Sequence, residues 1–395
     1  MKHQSKVHTM AKFLDDEKPG NYCGYEYDRF LTSEVGFGPR GDYYHLVLVK
    51  DGHIIAFGDE QGNYAGGIYA STEFSTDSFL KEKEYIRNEY PELYEKIKDI
   101  PLAKVYKPAD KAIYKPKGKA GEYAQFACNF YTGCSNDCQY CYCKRGVMSK
   151  VWSTTPRLKK CFKDEDDAIA TFKKELDYYD RNGSSISTKG IFFSFTTDPL
   201  LDETGGLTVE AAVYALRKRV PVQILTKRAD GALRFAECLS RMLGRIDRST
   251  HIAIGFTLTG SDEQEKNASP TEARIDAMRQ IHSLGIRTFA SIEPLLDLQV
   301  ADDIINCTLG FCDLYKIGLL SGGKQPIDIM QLSEFVPYIT QKVGASGAKI
   351  YWKNSVKDLL GGAEYHHPAS VDADYDIFFY DPYGMSQVPF NRFKL

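Results

Sequence analysis

Three closely spaced cysteines are the residues whose types and spacing point most directly to chemistry. Cys134, Cys138 and Cys141 follow C-x3-C-x2-C spacing, and Tyr140 stands just before the last of them. An iron–sulfur cubane held by protein alone normally takes four thiolates. Three thiolates on one loop can therefore hold three irons and leave the fourth open to a small molecule.

Two other uses of cysteine remain open at this point. A zinc loop would fit short Cys spacings, but structural zinc usually shows a second Cys or His pair downstream, and none follows at a typical distance. Cys143 lies too close to Cys141 for the usual chelate turn. Disulfides are less expected, because the sequence shows no secretory leader pattern and its other cysteines are scattered through apolar segments.

Composition indicates a globular protein with no overall pull toward nucleic acid. The 395 residues are 43% hydrophobic and 26% charged, with a formal net charge of −3. This length allows one large domain and a smaller appendage. Any affinity for nucleic acid would have to come from a local patch. No apolar run approaches membrane-spanning length, so we predict a cytoplasmic protein that makes no membrane contact.

The elements that must position the cysteines alternate between short apolar runs and longer amphipathic segments. The predicted strands are 125–131, 190–195, 222–226, 252–258, 287–293 and 314–319, with an extra strand at 349–352. Apolar residues at three- and four-residue spacing predict the helices 166–179, 209–219, 232–243, 272–284 and 326–343. Such alternation predicts an α/β fold with parallel strands, either a full or partial barrel or a doubly wound sheet.

The two ends of the chain differ from this pattern. Residues 1–103 are predicted to form a small α+β domain, because β-rich runs flank the turn pair Asp51-Gly52 and a charged helix follows at 77–88. Residues 104–119 form a linker with six lysines, which could bind phosphate or simply be solvated. A barrel domain is expected over 120–360, and an aromatic C-terminal extension over 361–395.

Six phrases, in register with the predicted strand ends, resemble the radical S-adenosylmethionine (SAM) superfamily, specifically its spore photoproduct lyase-like branch, which includes unassigned phage-borne relatives. The resemblance covers residues 124–323 and implies a partial (β/α)6 TIM-like barrel. The phrases are Asn129–Cys134 with Cys138–Tyr142, Ser194–Pro199, Leu225–Arg228, Ser269–Arg274, Ser291–Pro294, and Gly318 with residues 321–323.

The resemblance also implies the cofactors and a role for each site residue. Cys134, Cys138 and Cys141 would hold a [4Fe–4S] cluster, and SAM would bind its open iron. The other implied SAM contacts are Tyr140 at the adenine, Ser194, Thr196, Thr197 and Asp198 at the ammonium or ribose, Lys227 and Arg274 at the carboxylate, and Glu293 at the ribose or substrate. Asp198 and Arg274 could equally form a structural ion pair.

The resemblance therefore predicts an enzyme that cleaves SAM to a 5′-deoxyadenosyl radical for hydrogen abstraction, with flavodoxin or ferredoxin as electron donor. Its substrate is expected to be a nucleic-acid base or nucleotide. The alternatives are a peptide or protein substrate, or a non-catalytic iron–sulfur or zinc protein that binds nucleic acid. Photoproduct lyases use a further downstream cysteine as hydrogen donor. Residues 184–187 contain none, which weighs against photoproduct repair and leaves Cys143 as a candidate catalytic residue.

Overall fold

The computed structural model describes residues 19–33, 36–38, 41–61, 64–72, 76–104, 108–181, 184–242, 251–322, 326–362 and 365–378. The chain divides into two compact units. The first comprises residues 1–109 with 181–183, and the second comprises residues 110–180 with 184–395. Part of the predicted linker and most of the aromatic C-terminal extension lie outside the described residues.

The first unit is built on an antiparallel sheet. Its strands are β1 Gly20–Tyr22, β2 Tyr25–Tyr27, β3 Arg29–Thr32, β4 Gly36–Gly38, β5 Gly41–Lys50, β6 His53–Gln61 and β7 Tyr64–Ser71. The sheet order is β3-β5-β6-β7, β4 pairs with β5, and β1 and β2 form a separate hairpin. Asp51 and Gly52 join β5 to β6 with positive φ angles of 50° and 70°, so the predicted hairpin is confirmed.

Two helices cover one face of this sheet. Helix α1 spans Thr76–Glu89, and α2 spans Pro91–Ile97 with its proline at the first helical position. Phe79 and Ile86 of α1 join Leu93 of α2 in one apolar cluster with Val47 and Phe57 of the sheet. The predicted helix at 77–88 is therefore present, and burial of its apolar stripe holds it against the strands.

The second unit contains the site and is dominated by parallel strands. Its strands are β8 Ile113–Tyr114, β9 Ala127–Cys128, β10 Tyr131–Thr132, β11 Arg157–Leu158, β12 Ile191–Phe193, β13 Val222–Thr226, β14 Ile252–Thr257, β15 Arg287–Ile292, β16 Leu314–Ile317 and β17 Lys349–Trp352. The sheet order is β17-β16-β15-β14-β13-β12-β9-β8. All neighbours from β9 to β17 pair in parallel, and β8 is antiparallel to β9.

Helices connect these strands and confirm an α/β fold. They are α3 Glu165–Arg181, α4 Ile186–Lys189, α5 Gly205–Arg217, α6 Ala229–Met242, α7 Thr271–Ser283, α8 Leu298–Thr308, α9 Ile329–Ala345 and α10 Asn354–Leu359. The sequence analysis missed α8, which begins where the Asp297 side chain accepts a hydrogen bond from the Val300 amide at 2.9 Å. No helix among the described residues is long and apolar enough to cross a bilayer.

The predicted strand at 125–131 is shorter than expected. Only Ala127–Cys128 joins the large sheet, while Tyr131–Thr132 pairs with Arg157–Leu158 in a separate ribbon. The Asn129 side chain explains the break, because its Oδ1 accepts the Phe195 amide at 2.8 Å and its Nδ2 donates to the Tyr114 hydroxyl at 2.6 Å. A side chain thus replaces ladder bonds where the strand approaches the cysteines.

Strand register brings the candidate residues to one edge of the sheet. Phe193 is level with Ile224, Thr257 with Ser291, and Ile292 with Ile317. Since the strands are parallel, the loops that follow them leave from the same edge. The cysteine loop (residues 134–141) and every other candidate site residue follow these strand ends or open the next helix.

Candidate active site

The backbone entering the cysteine loop is tightly enclosed. Gly133 has a φ of 86°, and a Cβ there would lie 2.6 Å from the Ser153 carbonyl oxygen. The next residue, Cys134, donates its amide to that same oxygen at 2.9 Å. Only glycine combines this φ with this close approach, so the residue before the first cysteine positions the loop.

The three cysteines are free thiols set on this short loop. Cys138 is buried, whereas Cys134 and Cys141 are partly exposed. Burial, reinforced by the charge of Asp198, raises the pKa of the Cys134 thiol to about 12. Burial also raises the pKa of Cys138. The sulfur of Cys141 accepts a hydrogen bond from the Cys143 thiol, which lowers the pKa of Cys141 to about 6.

Asp198 fastens the cysteine loop to two strand ends. Its Oδ2 accepts the Asn136 side-chain amide and the Lys227 backbone amide, both at 2.8 Å, and its Oδ1 accepts the Thr226 hydroxyl at 2.6 Å. The Leu200 amide is a fourth donor, at 3.0 Å from Oδ1. The carboxylate is 7% exposed and fully engaged by the protein, so its contacts here position the loop.

A buried ionic network holds the other side of the loop. The Gln139 amide donates to the Gln264 carbonyl at 2.9 Å, and the Tyr140 hydroxyl donates to Glu265. Glu265 Oε2 lies 2.5 Å from Arg274 Nη2, with both side chains fully buried. Lys227 Nζ lies 3.9 Å from Glu265 Oε1 and 5.5 Å from the centroid of the Tyr140 ring.

The network keeps Lys227 charged. Burial opposes the ammonium, but its electrostatic interactions with Tyr140, Cys138 and the Glu265 carboxylate outweigh burial and raise the pKa of Lys227. Arg274 also donates to the Thr257 carbonyl at 2.5 Å, while its Nε has no partner among the described residues. Arg274 therefore pairs with Glu265. The alternative ion pair between Arg274 and Asp198 is not formed.

The three hydroxyl residues after β12 lie beside the cysteine loop, but each bonds to backbone. Ser194 donates to the Thr197 carbonyl at 3.0 Å, Thr196 to the Tyr131 carbonyl at 2.6 Å, and Thr197 to the Asp198 carbonyl at 3.5 Å. All three residues are partly exposed, so their oxygens can still accept a hydrogen bond. The structure thus gathers them with Asp198 in one turn.

The two remaining predicted site residues, Glu293 and Cys143, have no hydrogen-bond partner in common among the described residues. Glu293 accepts the Tyr123 hydroxyl at 2.7 Å and pairs with Lys353 Nζ at 2.7 Å, and neither partner belongs to the Tyr140–Glu265 network. Cys143 is 3% exposed, and its sulfur lies 3.7 Å from the Phe195 carbonyl oxygen.

Sequence reasoning missed Asn136, Glu265 and Tyr123. Asn136 lies between Cys134 and Cys138, so its place within the motif could have identified it as a site residue. Glu265 belongs to a run of three acids after β14, and nothing local distinguishes it from its exposed neighbours. Tyr123 lies in the segment between β8 and β9, and only the fold reveals its contact with Glu293.

The residues fit a cluster and an amino-acid-like ligand. The sulfur of Cys134 accepts the amides of Asn136 and Asp198, which favours thiolate as a ligand. Asn136 Oδ1 is buried with no donor in the described chain and so offers an acceptor beside the thiols. Among the described residues no three His, Cys, Asp or Glu side chains converge on a single ion.

Comparisons with known proteins give weak structural matches. No family model and no curated protein matches the chain. It is similar to Streptococcus suis SuiB bound to S-adenosylmethionine, with a TM-score of 0.40 and 11% identity over 81% of this chain and 71% of SuiB. SuiB bound to its precursor peptide SuiA gives a TM-score of 0.40 and 10% identity, over 82% and 71%.

A third match is to a dipeptide epimerase from Enterococcus faecalis V583, complexed with Mg and the dipeptide L-Leu-L-Tyr. Its TM-score is 0.30, with 11% identity over 87% of each chain. Similarity at this level carries no argument about activity, so the function of this chain has to be inferred from its own residues.

Proposed function

We propose that this chain is a radical SAM enzyme that holds a [4Fe–4S] cluster on Cys134, Cys138 and Cys141. The observation that carries the proposal is the cysteine loop itself. Three free thiols at C-x3-C-x2-C spacing lie at the carboxyl edge of a parallel sheet, locked there by Asp198 and the Glu265 network. When bound, the cluster and SAM together supply a 5′-deoxyadenosyl radical, which abstracts hydrogen from a C–H bond.

Side chains of the site would orient SAM and bind its charged carboxylate and ammonium groups in place of water. Lys227 is a charged, enclosed ammonium beside Cys138, suited to the SAM carboxylate. The partly exposed oxygens of Ser194, Thr196 and Thr197 suit its ammonium or ribose, as does the unpartnered Asn136 Oδ1. Arg274 and Asp198 would act as positioning residues, because both Nη atoms of Arg274 and both carboxylate oxygens of Asp198 already bond to protein atoms.

We infer that the parallel sheet curves into a partial (β/α)6 barrel. The strands from β12 to β17 follow one another in chain order, without the reversal of a doubly wound sheet. Residues from distant strands also pack into one interior cluster on a single face of the sheet. That cluster joins Ala127 of β9, Phe192 of β12, Ala253 of β14, Phe289 of β15 and Leu314 of β16.

We propose a nucleic-acid base or nucleotide as the substrate, and flavodoxin or ferredoxin as the electron donor. Modification of a peptide by the same radical chemistry is the competing outcome. Cys143 is proposed as a hydrogen donor, because its thiol hydrogen-bonds to the sulfur of Cys141, one of the proposed cluster ligands.

Anaerobic reconstitution tests the enzyme proposal. The wild type should take up about four irons per chain and release 5′-deoxyadenosine from SAM on reduction. C134A, C138A and C141A should each lose most of the iron, while C143A and the exposed C161A should keep it. Stoichiometric zinc with no SAM cleavage would refute the proposal. Iron loss in C143A equal to that in C141A would make Cys143 a ligand.

A further inference from the structure

A basic cluster lies across the sheet edge from the cysteine loop. We define it as Lys119, Arg145, Lys316 and Lys353. Lys316 is on β16 and Lys353 directly follows β17, so both belong to the last two strands of the parallel sheet. Lys119 and Arg145 reach the same place from segments before and after the cysteines.

Two of these cations are buried over one aromatic ring. Lys316 is 4% exposed and Lys353 1% exposed. Their Nζ atoms lie 4.9 Å and 4.4 Å from the centroid of the Tyr123 ring. Lys353 also forms an ion pair with Glu293. Lys316 has a single acceptor, the Tyr123 carbonyl oxygen at 3.1 Å, and no carboxylate partner in the described part of the chain.

The two exposed cations are also without carboxylate partners. Lys119 Nζ donates to the Ser321 hydroxyl at 3.1 Å. Arg145 Nη1 donates to the Ser321 carbonyl at 3.0 Å and to the Gly322 carbonyl. All of these acceptors are neutral, and no ion pair of either residue occurs among the described residues.

Charge at this place is consequently unbalanced. The four cations face two carboxylates, Glu293 and Glu122, and Glu122 is already bonded by the Tyr351 hydroxyl at 2.8 Å and the Asn354 amide at 2.9 Å. Burial and the adjacent Lys353 lower the pKa of Lys316 to about 7, while Glu122 and Glu293 raise it. An arriving anion would restore the missing partner and favour the charged ammonium.

The basic cluster is next to the proposed radical site. The Tyr123 ring lies 6.0 Å from the Phe195 ring, and the Phe195 carbonyl accepts the Tyr142 hydroxyl and lies 3.7 Å from the Cys143 sulfur. Tyr142 itself is half exposed. An anionic group on the cluster would therefore place the rest of its molecule toward the cysteine loop.

We propose that the basic cluster binds a phosphate of a nucleotide-class substrate, with Lys119 and Arg145 at its entrance and Lys316 and Lys353 beneath. This inference rests on the proposed function, since it names the substrate class of that site. Phosphate is favoured over carboxylate because its larger charge and greater number of acceptor oxygens match several separated cations. Lys115 and Lys117 precede Lys119 in the same segment of the second unit.

Binding of matched ligands to the full chain tests the proposal. Affinities for thymidine, its 5′-monophosphate and a short single-stranded DNA are measured by calorimetry, before and after anaerobic reconstitution. The monophosphate should bind at least about tenfold more tightly than the nucleoside. Binding near pH 7 in buffers of different ionisation enthalpy should show proton uptake, which K316M should remove. The groups facing Lys316 in that titration are Lys353, Glu293, Glu122 and Tyr123.

Charge reversal at the exposed pair avoids a folding defect. K119E/R145E should weaken DNA binding by about tenfold or more and lower the slope of log affinity against log salt by about two. K163E is the matched control, because the Lys163 side chain is 87% exposed and belongs to the same unit. It should bind as the wild type does.

Two results would overturn the proposal. One is equal affinity for nucleoside and nucleotide, or K119E/R145E binding like K163E. The other is an acidic peptide that binds more tightly than the nucleotides and loses affinity in K119E/R145E, which would assign the cluster to a carboxylate. Wild-type SAM cleavage without nucleotide tests the proposed function separately. Phosphate selectivity without cleavage would refute the radical enzyme and leave the phosphate site standing.

Discussion

Replacing Asp198 by asparagine should destabilise the second unit and loosen the cysteine loop. The asparagine keeps the shape of the side chain, but its amide nitrogen must face two donors whichever way it turns. Turned toward Thr226, the hydroxyl can rotate to accept, and the Leu200 amide is left without an acceptor. Turned toward Asn136, that side chain can flip to present Oδ1, and the Lys227 amide loses its partner.

The magnitude follows from this count. An unsatisfied buried donor costs about 1–3 kcal/mol, and the remaining bonds lose the strength that a charged acceptor adds. A total of about 3 kcal/mol is expected for D198N. For a unit of this size, each kcal/mol lowers the melting temperature by about 2–4 °C, so the midpoint should fall by roughly 6–12 °C.

Tryptophan fluorescence isolates the relevant transition. The chain has two tryptophans, Trp152 and Trp352, and both belong to the second unit. Melting is followed on the metal-free protein so that cluster binding does not contribute. D202N is the control, because the Asp202 side chain is 78% exposed and, within the described ranges, pairs only with exposed Arg234. Surface pairs of this kind contribute about 0–1 kcal/mol.

The reasoning fails if D198N melts within about 2 °C of D202N. It also fails if the loss of stability is present but reconstituted D198N binds iron as fully and as tightly as the wild type. That result would show that Asp198 supports the strands without positioning the cysteine loop.

Three further predictions concern the buried charges. E265Q should lower the free energy of unfolding by about 3–5 kcal/mol, because it removes the buried carboxylate between Arg274 and Lys227 and leaves Arg274 with the longer, 3.3 Å contact to half-exposed Asp262. Urea unfolding no different from that of exposed E237Q would contradict this prediction. G318A should cost about 1–3 kcal/mol, since its Cβ would lie 2.8 Å from Lys353 Cδ and 3.0 Å from Glu293 Oε1, whereas G310A meets nothing within 4 Å and should unfold as the wild type does. The pKa of Lys316 is lowered to about 7 in the folded state, so the unfolded chain binds more protons between about pH 7 and 10. The wild type should therefore gain stability over K316M as pH rises through that window, by at most about 1.4 kcal/mol per pH unit, and parallel pH profiles would exclude the depressed pKa.

Local sequence determined the features that depend on neighbouring residues. The C-x3-C-x2-C spacing put three thiols on one loop, and Asp51-Gly52 predicted its hairpin turn, because such features need only a few adjacent dihedral angles. Strand and helix periodicity likewise predicted the parallel α/β unit, with β13 and β17 at their observed bounds. Strand ends bearing Asp198 and Lys227 could be aligned in advance, since parallel strands share one carboxyl edge.

Tertiary structure alone decided which charges meet. Arg274 was expected at the SAM carboxylate, yet it lies against Glu265, nine residues earlier, because both are buried and each needs the other's charge. Glu293 pairs with Lys353, sixty residues later, and with Tyr123, which lies between β8 and β9. Sequence spacing carries no information about such distant partners. The fold also decides how many partners each buried group has. Asp198 accepts hydrogen bonds at both carboxylate oxygens, whereas Lys316 has a single neutral acceptor among the described residues.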